Sequence, residues 1–371
     1  MADVTEDRVL SVLRTMIDPD LHKDIVSLGF VKDVEINDGQ VGFTIELTTP
    51  ACPVKAEFEE QAKQLVGSLP GVKSVNVNMT AQVRSGVPEQ SAMPGVKNII
   101  AVGSGKGGVG KTTASVNLSI ALAQTGASVG LLDGDVYGPN IPRMMGVSRQ
   151  PKAQEIEVDG KKALRIVPLE NYGIKMMSMG FIVGEDEAVV WRGPMLTKAT
   201  QQMLHDVLWG ELDYLVVDLP PGTGDVQISL CQLVPVTGAV MVTTPQKVAF
   251  ADVLKGVAAF KRLNVPLFGV IENMSHFICP QCDHETDLFP RGSVEKECEE
   301  RKLKFLGSIP FVQEVAYGGD EGKPVVTTHP DSVATQSLKS VAQALAASIS
   351  TQVMRKKRFS EDDLLTISPA Q

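Results

Sequence analysis

From Lys97 to about Pro310 the chain alternates short, nearly unbroken apolar runs with longer stretches whose apolar residues recur every three to four positions. The runs NIIAVGS, SVGLLDGD, IKMMSMG, DYLVVDLP, GAVMVTTP, LFGVIENM and FLGSIP offer no polar face, which predicts strands covered on both sides. TTASVNLSIALAQTG, MLTKATQQMLHDVL and AFADVLKGVAAFKRL supply the helices to cover them. This succession is that of βαβ units and predicts an α/β fold on a parallel sheet.

The first 80 residues follow another rhythm. Val9, Leu10, Leu13 and Ile17 mark an amphipathic helix, and VKDVEI and VGFTIEL alternate as half-buried strands around a turn at Asn37, Asp38 and Gly39. A second helix, KAEFEEQAKQLVGSL, begins just after Pro53, and the strand VKSVNVNM completes a small α+β unit. AQVRSGVPEQSAMPGV has no periodicity and reads as a linker. The expected division is therefore a small domain over 1–80, a linker over 81–96, a large domain over 97–353 and a charged tail over 354–371. The last helix is expected from Ser332 to Val353, with the tail frayed beyond it.

Composition narrows the functional classes. The 371 residues are 43% hydrophobic, enough for one large core and a smaller one, and the formal charge of −9 argues against a nucleic-acid partner. The acidic start lacks the layout of an export signal and no apolar run can span a bilayer, so the expectation is a cytoplasmic protein without stable membrane insertion. Five cysteines, only two of them close together, suit thiol or metal chemistry better than a disulfide framework.

The strongest chemical signal is GKGGVGKT, Gly105 to Thr112, placed directly between a predicted strand and a predicted helix. The glycines Gly105, Gly107, Gly108 and Gly110 let successive N–H groups face phosphate oxygens, while the helix presents its positive end. The expected nucleotide-binding set also includes Lys106, Val109, Lys111, Thr112 and Thr113. Lys111 would neutralise the β and γ oxygens and Thr112 would hold Mg2+. Lys106 is badly placed for the same phosphates, so its expected use is across a dimer, with a plain solvated lysine as the alternative. At the ends of later strands, Asp218 is the expected second magnesium group and Asp135 the residue that orients or deprotonates the attacking water. Asp133 could be a partner in this chemistry or structural support, and Asp225 follows Asp218 behind a Pro-Gly turn. The catalytic set is thus Lys106, Lys111, Asp135 and Asp218. Asn273 is expected to read the adenine edge, and the lack of an Asn-Lys-x-Asp motif favours ATP over GTP.

The segment FICPQCDH places Cys279 and Cys282 two residues apart, a spacing that grips one metal centre with two thiolates. Two thiolates are half of a tetrahedral set, which the same pair from a symmetry mate would complete. A zinc site using His276 and His284, and a redox dithiol, remain open on the residues alone. Cys52, just before a helix, is expected to gain acidity from the helix dipole and is a possible accessory thiol, with packing beside Pro53 as the plainer reading. Cys231 and Cys298 read as packing residues.

KGGVGKTT, DGDVYGPN, WRGPM, DYLVVDLPPGTGD, TTPQ and IENMSHFICPQC together resemble the Mrp/ApbC family of iron-sulfur cluster carrier ATPases over nearly the whole chain. DPD, SLGFVKDV and LTTPACP resemble the small iron-sulfur assembly accessory domain that precedes the ATPase in many members. The resemblance implies a deviant Walker A P-loop NTPase of the MinD/ParA-like type that hydrolyses ATP slowly, coupled to cluster transfer. It further implies a homodimer with a 4Fe-4S cluster bridged by Cys279 and Cys282, handed to apo iron-sulfur proteins, with cluster scaffold proteins as further partners. By motif position it assigns phosphates to Gly105 through Thr112, a cross-subunit contact to Lys106 and hydrolysis to Asp135. Chloroplast relatives carry an extra C-terminal domain and lack this CxxC, so a bacterial-type carrier is expected; Thr112 stands where Ser is common, which keeps the hydroxyl. Two rival classes share the loop. A positioning ATPase acting on membrane or DNA is kept open by RKKR at 355–358, and a nitrogenase-type reductase would need two widely separated cysteines.

Overall fold

The computed structural model describes residues 4–87, 93–136, 138–158, 160–183, 193–222, 231 and 233–365. The chain forms two compact units, Met1–Arg84 with Ala346–Gln371, and Ser85–Leu345.

In the smaller unit the helix Glu6–Leu13 is followed by the short antiparallel pair β1 (Ile17–Asp18) and β2 (Lys23–Asp24), and then by a three-stranded sheet. That sheet has β3 (Val31–Asn37) antiparallel to β4 (Gln40–Leu47), which runs parallel to β5 (Ser74–Ala81). The turn expected at Asp38 and Gly39 is present with both residues at positive φ, 50° and 84°. Leu13, Phe30, Ile45, Phe58 and Val66 fill the core between sheet and helices, with the helix Lys55–Gly67 packed on β5. Ile17 departs from expectation. The first helix ends at Leu13, and Ile17 sits in β1 with 54% of its surface exposed.

The last helix also differs from its expected bounds. It runs Val333–Leu365, and residues from Ala346 group with the smaller unit, where Met354 packs on the core and the Ser350 hydroxyl donates to Thr48 O at 3.4 Å. The charged segment beyond Val353 therefore continues as helix, consistent with the good helix formers Lys, Arg, Glu and Leu that compose it.

The larger unit is built on β6 (Ile99–Ser104), β7 (Val129–Asp133), the hairpin β8 (Ala153–Val158) and β9 (Lys161–Ile166), β10 (Leu169–Asn171), β11 (Ile174–Met177), β12 (Tyr214–Asp218), β13 (Gly238–Thr243), β14 (Leu267–Ile278), β15 (Glu285–Thr286) and β16 (Phe305–Phe311). Among the described residues its main sheet has nine strands in the order β10-β11-β7-β12-β6-β13-β14-β15, with β16 also on β14. The seven strands expected from apolar runs are the seven that pair in parallel; β10 and β15 are antiparallel additions at the flanks. Every residue of β6, β7, β12 and β13 is buried, which explains why these strands read as continuous apolar runs. The helices Lys111–Gln124 and Lys247–Arg262 pack on these central strands. Because β6, β7 and β12 lie side by side and parallel, their carboxyl ends bring Ser104, Asp133 and Asp218 to one edge of the sheet, where open α/β sheets bind ligands.

Candidate functional site

The loop after β6 turns into the helix Lys111–Gln124 through Gly108 and Gly110, both at positive φ (76° and 77°), which an L side chain rarely adopts. At Gly110 there is also no space, since a Cβ would lie 2.1 Å from Asn273 Nδ2. The loop opens on a cavity of about 440 Å3 lined by Lys106, Gly107, Gly108, Gly110, Lys111, Thr112 and Thr113. Asp135, Asn140, Arg143, Asn273, Met274 and Phe311 form the facing walls.

Asp218 is the centre of the charged cluster beneath the loop. It is fully buried, and Lys111 Nζ and Thr112 Oγ1 donate to its Oδ2 at 2.8 and 2.7 Å, while Ser115 Oγ donates to its Oδ1 at 2.6 Å. A buried carboxylate needs such compensation. Two of the groups expected to meet nucleotide and Mg2+ thus converge on the residue expected to share the metal. The donor set fits a hard cation: one hydroxyl and one carboxylate, side by side.

Asp133, on the neighbouring strand, accepts from Asp135 N on one oxygen (3.2 Å) and from Ile141 N and Ser178 Oγ on the other (3.2 and 3.0 Å). Burial, and then the charge of Asp218, push its carboxyl up to about 7, against the pull of the Ile141 N–H, Ser178 and Lys111. Its bond to the Asp135 backbone makes it a support for that residue. Asp135 is half-buried at the cavity wall and accepts from Gly138 N at 3.3 Å.

Lys106 points along its own chain. Its Nζ lies 3.5 Å from Asp252 Oδ2, a carboxylate also bonded to Lys255, and its side chain is 41% exposed. Asn273 donates its amide N–H to Val109 O at 2.9 Å and is 5% exposed. One N–H of the amide expected to read adenine is thus engaged in holding the loop. Asp225, Trp191, Arg192 and Tyr137 lie outside the described residues.

Cys279 and Cys282 sit in the turn between β14 and β15, Cys282 exposed and Cys279 half-buried. Cys279 N donates to His284 O at 3.0 Å and Asp283 N to Cys279 O at 2.9 Å, with Asp283 in the left-handed region. The Gln281 N–H first, then the side chain and N–H of Cys282, hold the Cys279 thiol below its usual range. His276 is turned inward, with Nδ1 3.0 Å from Ser275 Oγ and Nε2 3.8 Å from Glu285 Oε1. Among the described residues no three His, Cys, Asp or Glu side chains are grouped to hold a metal within one chain.

Cys52 corrects the sequence reading of its chemistry. The helix begins at Lys55, and burial, followed by the carboxylates of Asp18 and Asp20, raises the Cys52 thiol despite an N–H from Val54. Burial likewise pushes Cys231 and Cys298 up to about 11. Ser115, Ser178 and Phe311 were not anticipated. Ser115 had a readable signal, because Thr112, Ser115 and Ser119 recur at helical spacing and place hydroxyls along one side of a mostly buried helix.

A glycine-bent phosphate loop, a buried lysine-aspartate pair and the sheet beneath them define a P-loop nucleoside-triphosphate-binding protein. Comparison with known sequences is narrower. Residues 95–346 match the family described as NUBPL iron-transfer P-loop NTPase, and residues 6–79 match the family described as iron-sulfur cluster assembly protein. The chain belongs to the NUBPL-type iron-transfer P-loop NTPases. It is similar to the iron-sulfur cluster carrier protein of Synechocystis, with 46% identity over 94% of this chain and 98% of the relative. It is also similar to the chloroplastic Fe-S cluster assembly factor HCF101 of Arabidopsis thaliana, with 46% identity over 89% of this chain and 61% of that longer protein. Among solved structures, a nucleotide-binding protein of Archaeoglobus fulgidus in complex with ADP is 34% identical, with a TM-score of 0.52, over 62% of this chain and 87% of the other. Among the described residues no helix is long and apolar enough to cross a membrane.

Proposed function

We propose that the chain is an ATP-driven iron-sulfur cluster carrier: two copies hold a 4Fe-4S cluster between their Cys279 and Cys282 pairs and release it to apo-proteins. The observation that carries this reading is the turn that brings Cys279 and Cys282 together, Cys282 exposed and Cys279 half-buried, with no third ligand grouped beside them among the described residues. Such a pair is half a cluster site, and a two-fold axis completes it. The names of the relatives support the same cargo.

In this reading the triphosphate of ATP lies on Gly105 to Thr113, with Lys111 moving from Asp218 onto the β and γ oxygens. Thr112 and Asp218 would hold Mg2+, which neutralises phosphate charge. Asp135, supported by Asp133, positions the attacking water and accepts its proton. Lys106 leaves Asp252 to reach the partner copy's nucleotide, the step that would make slow hydrolysis depend on dimerisation. The cytoplasm of a bacterial-type cell is the compartment this chemistry suits.

Anaerobic reconstitution with iron and sulfide tests the reading. Brown protein with about four irons per dimer, lost in Cys279→Ala together with transfer to an apo-protein, is the expected result. Colourless protein that binds only zinc would remove it.

A further inference from the structure

β14 runs without interruption from the sheet interior to the thiol turn, and it touches the phosphate loop on the way. From Ile271 to Asn273 it is in register with β16, where Asn273 pairs with Ile309. The next pair is Phe277 with Phe311, so four steps along β14 match two along β16 and the strand carries a bulge between them. Met274 opens this bulge at φ 57°, a left-handed conformation that costs a non-glycine residue and persists only where the surroundings hold it. The hold is visible on its N-terminal side, where buried Asn273 donates to Val109 O, and where Gly110 approaches so closely that no side chain would fit. On the far side the Ser275 hydroxyl donates to Ile309 O and the Phe277 ring lies 6.2 Å from that of Phe311. Asn273, Met274 and Phe311 all line the nucleotide cavity. One residue past the end of β14 comes Cys279.

We propose that the Asn273–Met274 step is a joint that passes the state of the phosphate loop to the Cys279–Cys282 turn, with Asn273 and Met274 as positioning residues. Phosphate binding requires the Val109–Gly110 backbone to face its ligand, and any movement of that backbone pulls on Asn273 or releases it. A bulge re-aims the strand that follows it, so the change at Asn273 alters the direction in which β14 presents its thiols. The purpose of the joint rests on the carrier reading above, but the coupling itself is a property of the chain without cargo.

The test uses the full-length, cluster-free protein, alkylated with iodoacetamide and read peptide by peptide. Rates at Cys279 and Cys282 are compared without nucleotide and with saturating adenylyl imidodiphosphate and magnesium, alongside amide hydrogen exchange over residues 274–278. In the wild type, nucleotide should change the Cys279 rate by about fivefold and alter exchange across the bulge. Asn273→Asp replaces the donor by an acceptor facing Val109 O, and Met274→Gly frees the left-handed turn without removing the Asn273 bond. Each should bring the ratio of rates close to one at saturating nucleotide. Nucleotide-indifferent rates and exchange in the wild type would overturn the proposal whatever the variants do, as would Met274→Gly retaining the full wild-type ratio. Failed cluster reconstitution would sink the carrier reading and leave these rates untouched. A chain that loads a cluster but has indifferent thiols would lose the joint alone.

Discussion

Ser115→Ala isolates what holds the nucleotide-free cluster together. Ser115 is fully buried and is the hydroxyl that donates to Asp218 Oδ1, at 2.6 Å, whereas Oδ2 has two donors, Lys111 and Thr112. Deleting the Ser115 hydroxyl strips a buried carboxylate oxygen of a charge-assisted bond worth about 1.5–3 kcal/mol. Alanine returns about 0.5 kcal/mol in helix propensity, so the net loss should be about 1–2.5 kcal/mol. Thr112→Ala provides the internal comparison. It removes a bond of similar length, but Oδ2 keeps Lys111, so the stability cost should be smaller while magnesium-dependent nucleotide affinity falls more steeply.

Urea unfolding followed by tryptophan fluorescence reads this directly, because both tryptophans, Trp191 and Trp209, fall in the sequence of the larger unit. The expected order of stability without nucleotide is wild type, then Thr112→Ala, then Ser115→Ala; the order of nucleotide affinity should place Thr112→Ala last. If Ser115→Ala unfolded at the wild-type urea concentration, or if Thr112→Ala were the less stable of the two, the account of Asp218 as the hub of the cluster would be wrong.

The folded chain holds Asp133 at about 7 against an ordinary 3.8, so it keeps a proton that the unfolded chain releases; nucleotide-free stability should fall as pH rises from about 4 to about 7 and level off above, by up to about 4 kcal/mol. Asp133→Asn should flatten that slope, since an amide has no proton to lose in this range; an unchanged slope between pH 5 and 7 in urea melts would contradict this. Gly110→Ala combines a left-handed φ of 77° with a Cβ 2.1 Å from Asn273 Nδ2, so titration with a fluorescent ADP should show affinity reduced at least about tenfold. Near neutral pH, iodoacetamide should label Cys279 and Cys282 well before Cys298, whose thiol is buried and pushed up to about 11 and so is about a hundredfold poorer in thiolate than an ordinary cysteine at the same pH; comparable labelling in the folded protein would contradict that burial.

The parts of this molecule that the sequence exposes are those where one physical demand acts along a continuous stretch. A central parallel strand is buried on both faces, so β6, β7, β12 and β13 announce themselves as apolar runs. A phosphate loop must bend at set intervals, so GKGGVGKT is readable without neighbours. The β8–β9 hairpin gives no such signal although it turns through Gly160 at φ 73°, because none of its described strand residues is buried and no buried face imposes a pattern. The thiol of Cys52 departs from its sequence reading for the opposite reason: its burial, and then the charges of Asp18 and Asp20 more than thirty positions away, exist only after folding, and burial first of all outweighs the Val54 N–H beside it. Asn273 shows the same limit, since its bond to Val109 spans 164 positions.

The nucleotide-free cluster is best understood as a set of placeholders. Two buried acids, Asp133 and Asp218, face one buried lysine, and the imbalance is met by raising Asp133 until a proton can stay on it. In the proposed bound state Lys111 turns from Asp218 towards the phosphates, and Asp218 keeps Thr112 and Ser115 as its side-chain donors among the described residues. Such an exchange is tolerable only if positive charge arrives with the phosphates. If Lys111 makes that move, triphosphate binding should depend on a divalent cation, because of the electrostatic cost of uncovering Asp218 beside Asp133.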